Sequence, residues 1–175
     1  MTSRYTGVAI LLHWLIAALI IANILIAELT EDLPRTERGE YMAFHFAFGL
    51  TVLILSFVRY FWRLRHRAPP YDSTIPAWQI SLGKAVHTIF YFLILALPVS
   101  GWLMVSQGGP ISYFGLFDWP VLPVTKPIGE FAHEAHEIMG TAMIWLIVLH
   151  VAGALKHQFI DKLPFLARMG LGTPR

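Results

Sequence analysis

Four apolar stretches without a single Asp, Glu, Lys or Arg decide what this chain can become. They are Gly7–Ala27, Tyr41–Val58, Ala85–Ser106 and Ile138–Leu155. About 20 apolar residues in a helix cross the hydrocarbon core of a bilayer. The expectation is therefore an all-α membrane protein. With their flanking turns the spans cover about 7–27, 41–62, 85–106 and 136–157, a four-transmembrane-helix bundle in a single domain over 1–175. The composition agrees: 56% of the residues are hydrophobic and 14% are charged. Soluble domains run nearer 45–50% and about 25%. The chain has no cysteine, which excludes disulfides, thiolate metal sites and covalently attached c-type haem.

Charge sets the orientation. The N-terminus, the second connection and the C-terminus hold ten basic residues (Arg4; Arg59, Arg63, Arg65, Arg67, Lys84; Lys156, Lys162, Arg168, Arg175). The first and third connections hold three, Arg35, Arg38 and Lys126. Basic loops stay on the cytoplasmic side, so both termini are expected there. The acids divide the other way, nine outside against Asp72 and Asp161 inside. A net charge of +2 therefore hides a polarised molecule, and it gives no reason to expect nucleic acid. The second connection is expected to break at Ala68-Pro69-Pro70, with Ile75–Leu82 lying along the interface. The long third connection, about Gln107–Ala132, has four prolines and several aromatic residues that suit an interfacial lid or anchor.

Ionisable groups inside spans are costly and usually functional. His13 lies near the inner end of the first span and His45 near the outer end of the second. His87 is near the inner end of the third. The fourth carries His136 near its outer end and His150 fourteen residues further in. Fourteen residues advance a helix by about 21 Å and bring it back to within roughly 40° of the same face. Depth then pairs His45 with His136 and His13 with His150. Imidazoles facing across a bundle core are ligands for bis-histidine haem. Gly49 and Gly140 follow their histidines by one turn and leave space for a flat macrocycle. The competing readings are a histidine-based metal or proton carrier and plain packing histidines. A carrier would more often place carboxylates in the span cores, and packing alone would not match depths.

The chain resembles the bacterial cytochrome b561 family. The resemblance rests on His13-Trp14, Pro34-Arg35, Arg38, His45, Val58-Arg59, Arg63 and Pro69-Pro70, then His87, Ala96-Leu97-Pro98, Gly101, His136-Glu137, His150 and His157. It implies a small di-haem b protein of the bacterial inner membrane that moves electrons between its outer side and membrane quinone. Membrane subunits of formate dehydrogenases and nickel hydrogenases share the histidine plan, while a short four-span chain looks like the stand-alone branch. The activity known for that branch is superoxide oxidation with ubiquinone as electron acceptor. The resemblance implies two haem b groups on His13, His45, His136 and His150, and a quinone near His87 and His157.

The remaining assignments follow chemistry. Haem propionates need cations: Arg35 and Arg38 outside, Arg59 and Arg63 inside. Quinone reduction needs protons, which His157 and His87 can supply near neutral pH. Trp78 and Lys84 are candidates for a headgroup pocket. A relative in that family carries lysines after the Pro-Pro pair, one of which helps hold the quinone. Here Tyr71-Asp72-Ser73-Thr74 stands there, leaving Ser73 or Thr74 as donors. His87 also remains an alternative to His13 opposite His150. Other functions to weigh are an electron-transfer subunit serving a partner dehydrogenase or soluble cytochrome, and a haem or metal transporter. The acidic outer face suits a basic donor and does not steer the superoxide anion.

Overall fold

The computed structural model describes residues 4–172, so Arg175 lies outside the described residues. Four long helices carry the fold: α1 Gly7–Leu29, α2 Arg35–Arg65, α3 Ala77–Val105 and α4 Lys126–Leu155. Each is long and apolar enough to cross a membrane. Local chemistry sets their ends. The Thr6 hydroxyl accepts from the Ala9 amide at 3.3 Å and caps α1. At the other end of α1 the Thr30 hydroxyl donates to the Ile26 carbonyl at 2.6 Å. Pro34 and Pro76, both extended, precede α2 and α3. Proline fixes φ near the helical value and has no amide to leave unpaired in a first turn.

The helices outrun the apolar stretches. α2 continues through Arg59 and Arg63, and α4 starts ten residues before position 136. Ile75–Leu82 does not lie as a separate interfacial segment: Ile75 is buried, and α3 begins at Ala77. Hydropathy reports bilayer thickness, whereas a helix continues as long as its backbone bonds and caps allow.

α1 packs on α2, α2 on α3, and α3 on α4. α4 has no comparable backbone approach to α1 or α2. One core layer holds Leu93, Ile94 and Met143, with Ile20, Ile24, Phe90 and Leu146 against them. The buried face of α2 is Ala47, Leu50, Val52, Leu53 and Ser56. Large apolar side chains such as Leu25, Phe57, Phe92 and Trp145 point outward. That is wasteful in water and suited to lipid.

The two ends of the bundle differ. At the terminal end, the Tyr5 amide donates to the Arg168 carbonyl at 3.2 Å. The Trp14 indole donates to the Met169 carbonyl at 2.9 Å. Arg168, in the short helix α5 Phe165–Arg168, donates to the carbonyls of Pro69 and Pro70, both at 2.9 Å. Both chain ends and the α2–α3 connection thus meet there. At the opposite end, strands β1 Ile111–Tyr113 and β2 Phe117–Trp119 form an antiparallel hairpin. Its turn runs through Phe114 (φ 52°) and Gly115 (φ 71°). This left-handed pair matches strand twist, and a non-glycine residue adopts it at some cost. The Phe114 ring lies 5.7 Å from Phe48 of α2. The Tyr113 and Thr51 hydroxyls are 3.0 Å apart. Thr51 spends its proton on the Ala47 carbonyl, so Tyr113 is the donor. The third connection is thereby folded down on α2.

Candidate functional site

The structure brings together the histidines paired by depth. At the hairpin end, His45 of α2 and His136 of α4 have ring centres 6.1 Å apart, with planes at 65°. At the terminal end, His13 of α1 and His150 of α4 are 6.2 Å apart, at 63°. All four are half-buried. They bridge helices whose backbones make no close approach comparable to that of α3 and α4. A first-row metal held between two imidazole nitrogens at about 2 Å from each, plus about 1 Å from nitrogen to ring centre, requires ring centres about 6 Å apart. Both pairs meet that condition. Among the described residues no three His, Asp or Glu side chains gather to hold a metal ion. Paired ligands are what a planar macrocycle needs, since it fills the other four positions itself.

The hairpin-end pair has a defined tautomer. His45 Nδ1 is 3.1 Å from the Asn23 carbonyl. His136 Nδ1 is 3.0 Å from the Leu97 carbonyl and 3.0 Å from Ser100 Oγ. A carbonyl only accepts, so both Nδ1 atoms carry the proton and both Nε2 lone pairs are free for a metal. Ser100 donates its own proton to Leu97 at 2.9 Å. Asn23, with its side chain turned, also bridges the His45 carbonyl and the Gly49 amide. The wall of this site is His45, Phe46, Gly49, Leu50, Pro98, Gly101 and His136. A Cβ on Gly140 would meet nothing within 4 Å, whereas one on Gly101 would sit 3.2 Å from His136 Cε1. Gly101 lets α3 reach the His136 ring.

Arg38 completes this end. It lies seven residues before His45, two turns along nearly the same face. Its Nε is buried without a hydrogen-bond partner. A buried donor with no acceptor is costly, and a carboxylate such as a propionate supplies one. Arg35 is exposed at the start of α2.

At the terminal end, Arg59 Nη1 donates to the Ala9 carbonyl at 3.4 Å. Its guanidinium is within electrostatic reach of His13, His87 and His150. Arg63 donates instead to the His66 carbonyl at 3.3 Å. His87 lies 5.6 Å from His150, but it is exposed where His13 is half-buried.

The other residues expected around a quinone make what hydrogen bonds they have elsewhere. None of His87, Trp78, Lys84, Ser73, Thr74 and His157 is hydrogen-bonded to another of that set among the described residues. Trp78 is 65% exposed. Thr74 donates its hydroxyl to Asp72 at 2.6 Å. That bond and the Thr74 amide hold the Asp72 carboxyl below its usual range. Thr74 therefore has no proton to offer a ligand, and Ser73 is exposed. His157 lies in the π-turn Lys156–Ile160. Its Nδ1 is 2.7 Å from Asp161, and its ring stacks on Phe165 at 4.5 Å. Lys156 reaches the same Asp161 oxygen at 2.7 Å and Gln79 at 3.3 Å.

The sequence reading missed Asn23 and Ser100 as partners of the hairpin-end histidines. Asn23 had a visible signal, being the one amide in an otherwise apolar span. Ser100 and Gly101 follow Pro98 but only the packing of α3 on α4 shows their purpose.

Comparison with known proteins agrees with this geometry. The sequence pattern of the family described as prokaryotic cytochrome b561 matches residues 4–172. "Cytochrome b561 homolog 2" of Escherichia coli K12 is 30% identical, over 95% of this chain and 90% of its own. "Probable superoxide oxidase CybB" of Yersinia pestis is 26% identical over 97% of both chains. "Cytochrome b562" of Cereibacter sphaeroides is 29% identical over 94% of both. The chain, with four membrane helices and two imidazole pairs, belongs to the prokaryotic cytochrome b561 family of haem b electron-transfer proteins.

Proposed function

We propose that this chain is a two-haem b cytochrome of the bacterial inner membrane, passing electrons from a donor at the hairpin end to membrane ubiquinone. The observation that carries it is two imidazole pairs, 6.1 and 6.2 Å between ring centres, at two levels of one bundle. His45 and His136 would hold one haem, and His13 and His150 the other. When bound, haem supplies an iron that gains and loses single electrons. The protein's part is to hold the rings, keep water out and offer cations to the propionates. Arg38 does this at the hairpin end and Arg59 at the terminal end. The 6.2 Å separation matches the other pair, which favours His13 over His87 opposite His150. Both termini lie on the cytoplasmic side in this reading, so the hairpin end faces outward.

The donor proposed is superoxide, following the name of the Yersinia relative. Two superoxide anions each lose one electron and become dioxygen. One ubiquinone takes both electrons and two protons and becomes ubiquinol. His157, bonded to Asp161 at the terminal end, stands where protons from the cytoplasm would arrive. The second reading, a partner protein as donor, is favoured by the nine acidic residues of the first and third connections. They attract a basic cytochrome and repel an anion.

The test is purified protein with a superoxide source and a soluble ubiquinone. The expected result is a b-type reduced spectrum and one quinol formed per two superoxide consumed. Haems that stay oxidised under superoxide, yet are reduced by a basic soluble cytochrome, would establish the second reading.

A further inference from the structure

The two imidazole pairs have unlike surroundings. At the hairpin end both Nδ1–H groups donate to carbonyl oxygens, His45 to Asn23 at 3.1 Å and His136 to Leu97 at 3.0 Å. Such a bond pushes electron density through the ring to Nε2 and makes the imidazole a stronger donor. A stronger donor stabilises the oxidised metal. At the terminal end neither His13 nor His150 has a hydrogen-bond partner for its ring among the described residues, so their rings stay weaker donors.

Charge acts in the same direction. Arg59 donates to the carbonyl of Ala9, which is one turn, or about 6 Å, before His13. A cation that close in a region of low dielectric favours the reduced metal, which carries one positive charge fewer. The corresponding cation at the hairpin end is Arg38, about 10 Å along α2 from His45. It shares its turn with Glu37 and Glu40, which offset it.

We propose that the His45–His136 site is the low-potential site and the His13–His150 site the high-potential site, so that electrons run downhill from the hairpin end to the terminal end. This rests on the two-haem reading above. The transfer oxidises the first site by one electron and reduces the second by one, with no bond formed or broken and no proton moved. Asn23, Leu97 and Ser100 then act as positioning groups that depress one potential, and Arg59 as the group that raises the other.

Redox titration followed by absorbance tests this on the purified full chain. His45→Ala keeps only the terminal-end site and His13→Ala only the hairpin-end site. The chain with His45→Ala is expected to titrate at the higher midpoint. Where a ligand variant fails to fold, Arg59→Gln in the otherwise intact chain serves. It should lower the upper of two midpoints, leave the lower in place, and be corrected by Arg59→Lys. Two haems with coincident or reversed midpoints, or an Arg59→Gln effect on the lower midpoint alone, overturn the ordering while leaving the two-haem reading intact. A colourless chain overturns the two-haem reading itself.

Discussion

At the scale of single residues, the site is built from side chains whose task is visible only in pairs. The histidines could be read from the sequence because an imidazole in an apolar span is expensive and because helical rise converts position into depth. Their supports could not. Asn23 and His45 are 22 residues apart and Ser100 and His136 are 36 apart, and no local pattern links them. Gly101 is the clearest case. A Cβ there would lie 3.2 Å from His136 Cε1 and 3.4 Å from its Nδ1, and the ring is already tied to Leu97 and Ser100. Gly101→Ala is therefore expected to strain the hairpin-end pair by about 1–3 kcal/mol, the usual cost of overpacking. The haem-to-protein ratio measures it, falling as the hairpin-end site empties. An unchanged ratio and an unchanged melting temperature would mean that the ring yields.

At the scale of elements, the four spans were legible and their true lengths were not. The sequence shows where charge is absent, while α2 and α4 run on through charged turns that bond their own backbones. The hairpin was read only as a constrained loop. Its strands are three residues each, too short for alternation to register, although Gly115 among Tyr113, Phe117 and Trp119 marks the turn. The end of α4 carried no such mark: the π-turn Lys156–Ile160 sets His157 against Phe165 and Asp161. Lys156, then His157, hold the Asp161 carboxyl below its usual range. A depressed carboxylate lends its support above the ordinary value of about 3.9 and loses it as pH falls through the lower folded value. Hydrogen exchange at the Asp161 and Leu163 amides, which bond to Lys156 and His157, should thus show protection that is flat between about pH 5 and 8. Asp161→Asn should reduce that protection across the whole range. Protection that already fades near pH 6 would assign the turn to another group.

At the scale of the whole molecule, the chain is polarised along its axis. Ten basic residues and two acids go with the termini and second connection, and three basic residues and nine acids with the other two connections. The structure supports one half of that reading: Tyr5, Pro69, Pro70 and Arg168 meet at one end. The other half, which compartment that end faces, follows from charge bias. A reporter fused to the C-terminus should be active if it needs the cytoplasm and silent if it needs the periplasm. A reporter placed in the hairpin turn should behave oppositely. Matching signals from both positions would contradict the single crossing by α4 that separates them.

The stand-off of α4 from α1 and α2 has a consequence for how the protein is made. Without haem, α4 is anchored along one side only, through α3. In the two-haem reading, each haem that enters would tie α4 to the opposite side, His136 to His45 and His150 to His13. Ligands that bind only the closed form stabilise it by mass action. Maturation in that reading would close the bundle around its cargo, and chains made without haem should be cut faster by an added protease than filled ones.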